Sequence, residues 1–244
     1  YRGTDGSGGD KVSGSRDMAL TTWTYIYPND VDIWTSSYSL TNKNVRGDIT
    51  FYGSSSTVGY LGALKHNYPG FLAEGHFHTY QPQRHRDLNK DYCGMEGVRF
   101  FRGLAAYFGL SGESTGYIVG TAKDNSKALS HSLYTYNTKS GSIDAYYPIN
   151  GATVQLYQGT TLKKTYTTDN NYNGVFVFEN LAAGSYTVKV IADGYENYTS
   201  GSLTVTANNT TYCNLLLTPG SSTPDPDPVI DDDPDPVVTG NNSL

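Results

Sequence analysis

Tyr186-Thr187-Val188-Lys189-Val190 alternates apolar and polar side chains without a break, and Val154-Gln155-Leu156-Tyr157 repeats the pattern. Period-two alternation marks a strand with one face on a core and the other in water. Working outward, Tyr117–Thr121, Ala152–Tyr157, Lys163–Thr167, Val175–Phe178, Ser185–Ala192, Ser202–Val205 and Tyr212–Leu217 read as further strands, punctuated by Gly, Asn and Asp. Short strands with turn residues at this spacing predict an antiparallel all-β sandwich over residues 116–218.

Upstream of this region Ser111–Thr115 forms a small polar linker, and before it the pattern changes. Ser15 is placed to cap a helix in which Met18, Ala19, Thr22, Trp23 and Ile26 recur at helical spacing, with Pro28 expected to stop it. Val31–Leu40 reads as an irregular connection, and the alternation in Val45–Phe51 as a short strand. Residues 53–59 form a Gly- and Ser-rich loop. Leu61–Lys65 and Gly70–Ala73 are apolar runs of the kind buried in a covered sheet. Pro82 sits near a helix start, and Asp91 is expected to cap a longer helix ended by Gly109. In that helix Met95, Val98, Phe101, Ala105 and Phe108 share an inward stripe, with Arg99 and Arg102 facing away. Helix, extended segment, strand and helix in this order predict the closing part of an α/β domain over residues 1–110. Residues 1–14 read as a mobile Gly-rich surface loop, not a phosphate loop, because no strand precedes them and no Gly-Lys-Ser/Thr closes them.

Composition sets the outer limits. A chain of 244 residues accommodates two domains. With 17 basic and 23 acidic side chains the formal charge is −6, which excludes a nucleic-acid partner that needs a basic stripe. No apolar run is long enough for a membrane-spanning helix. Cys93 and Cys213 fall in different domains and read as two unpaired, buried thiols. Residues 219–244 alternate Asp with Pro and predict a disordered extended tail; the calcium-loop pattern is absent from it. The start at Tyr1, without Met or an apolar leader, reads as a processed product or a fragment.

The chemistry concentrates in Tyr60–Tyr80, YLGALKHNYPGFLAEGHFHTY, where an apolar run delivers Glu74 and then His76 and His78. Reactive groups gather in loops just past the carboxyl ends of α/β strands. Together with Ser15-Arg16-Asp17-Met18-Ala19, Val45-Arg46-Gly47-Asp48 and Glu96–Phe108, the Leu61–Glu74 segment resembles the carboxyl-terminal half of the zinc-dependent N-acetylmuramoyl-L-alanine amidases, in the form found in Bacteroidetes-like cell-wall hydrolases. The resemblance implies a peptidoglycan substrate cut between N-acetylmuramic acid and L-alanine of the stem peptide. It also implies a zinc-activated water, with Glu74 as catalytic general base. Two His and one Glu would hold the zinc upstream of Tyr1, so no metal ligand is assigned in this chain. His76, His78, Arg46 and Arg84 are assigned to substrate binding, the arginines facing acidic groups of the stem peptide, with a structural role as the alternative for each.

Gly116–Gly120, Pro148–Val154, Thr168-Asp169, Gly174–Phe176, Asn180-Leu181 and Gly184–Val188 resemble the carboxypeptidase-regulatory-like or Cna-B-type sandwich, close to transthyretin in architecture. The expected fold is thus α/β, a partial amidase-type three-layer domain, followed by an all-β transthyretin-like or Ig-like sandwich and the acidic tail. The resemblance places the protein outside the bacterial cytoplasm: secreted, periplasmic or at the cell surface. Two alternatives stand beside it, a zinc carboxypeptidase-like peptidase and a non-catalytic surface or glycan-binding protein with a spacer sandwich. The oligomeric state is not legible.

Overall fold

The computed structural model describes residues 1–34, 45–53, 64–75, 80–129 and 143–220, which divide into two compact units. The first comprises Tyr1–Glu113 together with Lys127–Tyr147; the second comprises Ser114–Ser126 and the chain from Pro148.

The first unit is helical. Its elements are α1 (Ser15–Trp34), α2 (Asp48–Tyr52), α3 (Gln81–Arg86) and α4 (Lys90–Tyr107). No strand of the expected three-layer domain lies among its described residues before Gly116. Helix α1 packs on α4 where Thr22 is buried against Gly103; a Cβ at Gly103 would stand 2.6 Å from the Thr22 Cα. Only glycine permits that approach.

Several sequence expectations are corrected here. Helix α1 runs through Pro28 to Trp34, because proline forfeits one bond of the ladder and kinks a helix without having to end it. The Ser15 hydroxyl accepts from the Gly70 amide at 3.2 Å. The cap of α4 is Asn89, whose Oδ1 accepts from the amides of Asp91 and Tyr92 at 3.1 and 2.9 Å. The buried face of α4 is Tyr92, Met95, Arg99, Arg102 and Ala105, while Phe101 and Phe108 are exposed. Arg102 is buried with a carboxylate partner, its Nε donating to Glu113 Oε2 at 2.7 Å, whereas Arg99 Nη2 donates to the Met95 sulfur at 2.9 Å. Gly109 ends the helix in the left-handed conformation, as read.

The extended segment expected at Val45–Phe51 is instead helical from Asp48, where α2 begins, and residues 1–14 are pinned against it. Gly3 donates to Asp48 Oδ1 at 2.8 Å, Gly47 donates to Asp5 Oδ1 at 2.7 Å, and the Asp5 amide donates to the Thr50 hydroxyl at 2.9 Å. Gly70–Ala73 is likewise no buried strand but an irregular, largely exposed segment. The rest of the Val31–Leu40 connection, the 53–59 loop past Gly53, the apolar run before Leu64 and the tail from Ser221 lie outside the described residues.

The second unit carries the sandwich, although the end of the first strand past Ser126 and the start of the second before Pro148 fall in the first unit. One sheet holds β1 (Gly116–Ala128), β2 (Tyr146–Pro148), β5 (Val175–Leu181) and β9 (Thr210–Leu217). The other holds β3 (Thr153–Gln158), β4 (Thr161–Thr167), β6 (Gly184–Ile191), β7 (Tyr198–Thr199) and β8 (Leu203–Val205). β5 pairs antiparallel with β1, β3 with β4 and β6, and β6 with β7 and β8, whereas β1 and β9 run parallel from Tyr117 opposite Thr210 to Asp124 opposite Leu217. Between the sheets Ile118, Val154, Leu156, Phe176, Val188, Val190 and Leu215 form the core. In β6 the opening alternation is realised: Tyr186, Val188 and Val190 are buried, Thr187 and Lys189 only partly.

Both cysteines are free, but only Cys213 is buried; Cys93 is exposed at the start of α4. Burial pushes the Cys213 thiol up to about 12, against the lowering effect of Ser200. Partial burial, followed by the carboxylates of Glu96 and Asp87, raises Cys93 as well. A maleimide should therefore label Cys93 slowly in the native protein and Cys213 only after denaturation. Mass spectrometry of the labelled protein reads the two cases apart.

Candidate functional site

Glu74 lies exposed in the irregular segment Pro69–Gly75, and no hydrogen-bond or ion-pair partner holds it among the described residues. Its position comes from the residues before it. Pro69 packs near Gly14, whose φ of 87° no other residue adopts readily and whose Cβ position also faces the Tyr107 hydroxyl. Gly70 is tied to Ser15, as above, and its backbone lies against the His66 ring, where a Cβ would stand 2.6 Å from Cε1. His66 in turn donates from Nδ1 to the Tyr68 carbonyl at 2.5 Å and stacks on the Tyr68 ring, with centroids 4.3 Å apart and planes 9° apart. A pinned stem thus presents a carboxylate to solvent.

The other predicted site residues do not converge on it through any described contact. Arg46 is half-exposed and paired with Asp5, Nε to Oδ2 at 2.6 Å, with its guanidinium 5.7 Å from the Phe51 ring centroid. Asp5 also receives Gly47, so this arginine helps hold the amino-terminal loop on α2. Arg84 is exposed in the last turn of α3 and has no side-chain partner among the described residues. His76 and His78 lie outside the described residues. Among the described residues, no three His, Cys, Asp or Glu side chains are grouped closely enough to hold a metal ion.

Sequence reading missed a buried ion pair near the other end of this region. Arg86 Nη1 and Nη2 donate to the two Asp144 oxygens at 2.8 and 3.2 Å, the side chains being 1% and 0% exposed. Tyr80, immediately before α3, donates its hydroxyl to the same carboxylate at 3.1 Å. Burial alone would push the Arg86 guanidinium down, but the Asp144 carboxylate beside it prevails and holds it above its usual range, with Tyr92 and Tyr80 assisting. The pair spans 58 residues, and Asp144 sits in a 3-10 turn (Ile143–Ala145) after a Ser-rich stretch. Nothing local marks it.

In the sandwich the polar residues of the predicted motif close loops. Thr168 accepts the Ala152 amide at 2.9 Å and donates to the Ile149 carbonyl at 3.0 Å. Asp169 holds Asn173, whose Oδ1 receives the Val175 amide at 2.8 Å. Residues 144–218 match the carboxypeptidase regulatory-like domain. The match begins within the 3-10 turn and ends just past β9, so β1, which completes the first sheet, precedes it. Solved structures similar to this chain include a type II cohesin–X-dockerin complex from Acetivibrio cellulolyticus, at 22% identity over 47% of this chain and 56% of that one, with a TM-score of 0.27. The minor pilin of Streptococcus agalactiae is similar at 16% identity over 47% of this chain and 49% of that one, with a TM-score of 0.29. The chain spans about half the length of these structures, and likenesses of this size carry no functional argument. No curated protein matches the chain. No described helix is long and apolar enough to cross a membrane.

Proposed function

We propose that this chain is part of a secreted, periplasmic or cell-surface bacterial peptidoglycan amidase. In this reading the helical unit contributes Glu74 and the regulatory-like domain is an accessory module. The observation that supports it is the pinned segment: His66, Tyr68, Gly70 and Ser15 fix the stem through named contacts, and the carboxylate at its end is left free for a reacting partner. A group that moves protons must be accessible, and an anchor at Gly70, four residues before Glu74, limits how far the carboxylate can travel. Hydrolysis of an amide needs a proton taken from the attacking water and a proton given to the departing nitrogen, which otherwise leaves as a poor amide anion. Glu74 performs both transfers, so the balance is water plus amide to carboxylic acid plus amine. Arg84, charged and exposed, supplies a contact for the carboxylates of the stem peptide. The described residues offer no site for zinc, so only proton transfer and binding are assigned to them.

The test is Glu74→Gln in the full-length protein, measured as stem peptide released from purified peptidoglycan. Release should fall about 10²–10⁴-fold, the usual worth of a positioned acid–base group, while the unfolding curve stays unchanged because the side chain is exposed. A variant as active as the parent overturns the reading.

A further inference from the structure

We propose that Tyr68 is a saccharide-stacking platform, with the open face of its ring taking a pyranose of the glycan strand; this rests on the peptidoglycan reading and names the part of the polymer that binds. Most exposed aromatic rings are free to turn. This one is stacked on His66 within 9° of parallel, and the His66 Nδ1 hydrogen bond to the Tyr68 backbone carbonyl holds the imidazole against which the phenol lies. Gly70 backs the histidine from another side and is itself tied to Ser15. One face of the phenol is therefore covered, yet Tyr68 remains 67% exposed, which leaves the opposite face open to water. Holding a large ring in one orientation before the ligand arrives removes the entropy cost of ordering it on binding.

The surroundings select the occupant. In the chain, exposed Lys65 and Asn67 lie three and one residues before the ring. A flat apolar ring face beside hydrogen-bonding groups matches a pyranose, which offers C–H bonds on its face and hydroxyls and an acetamido group on its rim. Position agrees. Tyr68 precedes Glu74 by six residues, at most roughly 20 Å of extended chain, so a glycan resting on the ring stays within reach of the carboxylate.

Binding is measured with the full-length protein carrying Glu74→Gln, so that no substrate is consumed. Two probes are used: glycan strands stripped of stem peptide, and stem peptide freed of sugar. Adding Tyr68→Ala should weaken glycan binding about tenfold, Tyr68→Trp should restore it, and peptide binding should not move. Equal glycan binding by the Ala variant overturns the proposal, as does a loss that Trp fails to restore or a loss confined to the peptide probe. The outcome separates from that for Glu74. Full turnover by Glu74→Gln alone would remove the catalytic reading and leave the Tyr68-dependent glycan binding standing.

Discussion

Replacing Asp144 by Ala is expected to destabilise the helical unit by about 3–5 kcal/mol, because it leaves the Arg86 guanidinium buried without its counter-charge. Both Trp23 and Trp34 belong to α1, so tryptophan fluorescence during denaturant unfolding reports on that unit alone. Its midpoint should fall, while a β-sheet signal from the sandwich should move little. Asp144→Asn keeps the acceptor oxygen and should recover part of the loss. The double variant Arg86→Met/Asp144→Leu removes both charges and should recover most of it, since a well-packed apolar pair often matches a buried ion pair. A fluorescence midpoint unmoved by Asp144→Ala would show that Lys127–Tyr147 is not integral to the helical unit.

The second large effect lies in the other unit. Phe176→Ala should cost the sandwich about 3–5 kcal/mol, the usual range for emptying a fully buried aromatic site. The surroundings cannot close over the gap. Phe176 pairs with Gly120 across β1 and β5, and its ring sits over that glycine, whose other neighbour is the Cys213 carbonyl in the parallel β1–β9 ladder. Backbone on that side and the Phe178 ring, 5.9 Å away, leave little to relax into the cavity. Far-UV circular dichroism should record an earlier sheet transition with the tryptophan transition in place. A sandwich of unchanged stability would mean that the core repacks.

These two residues also mark the limits of reading the chain. Phe176 belongs to a strand legible from its neighbours, because a half-buried sheet writes its period into adjacent residues and Gly and Asn mark the turns. The parallel pairing of β1 with β9 was not legible, since nothing local distinguishes it from antiparallel pairing. In α4 the reason is physical: helical spacing turns Arg99 and Arg102 toward water, whereas both are buried, Arg102 against Glu113 beyond the helix end. Glu74 stood out by its setting in the apolar run, but the anchors behind it, from Ser15 to Gly70, span 55 residues. Asp144 had no signal at all, because its meaning lies entirely in a contact made at a distance.

The segment Lys127–Tyr147 carries one more consequence, for the order of events as the chain is made. Arg86 leaves the ribosome 58 residues ahead of Asp144. At about 5–20 residues per second it waits several seconds for its counter-ion. The helical unit, first in the sequence, therefore cannot be first to finish. It must stay open while β1 and the stretch after it are synthesised, and during that interval the nascent chain holds an arginine that has nowhere dry to go.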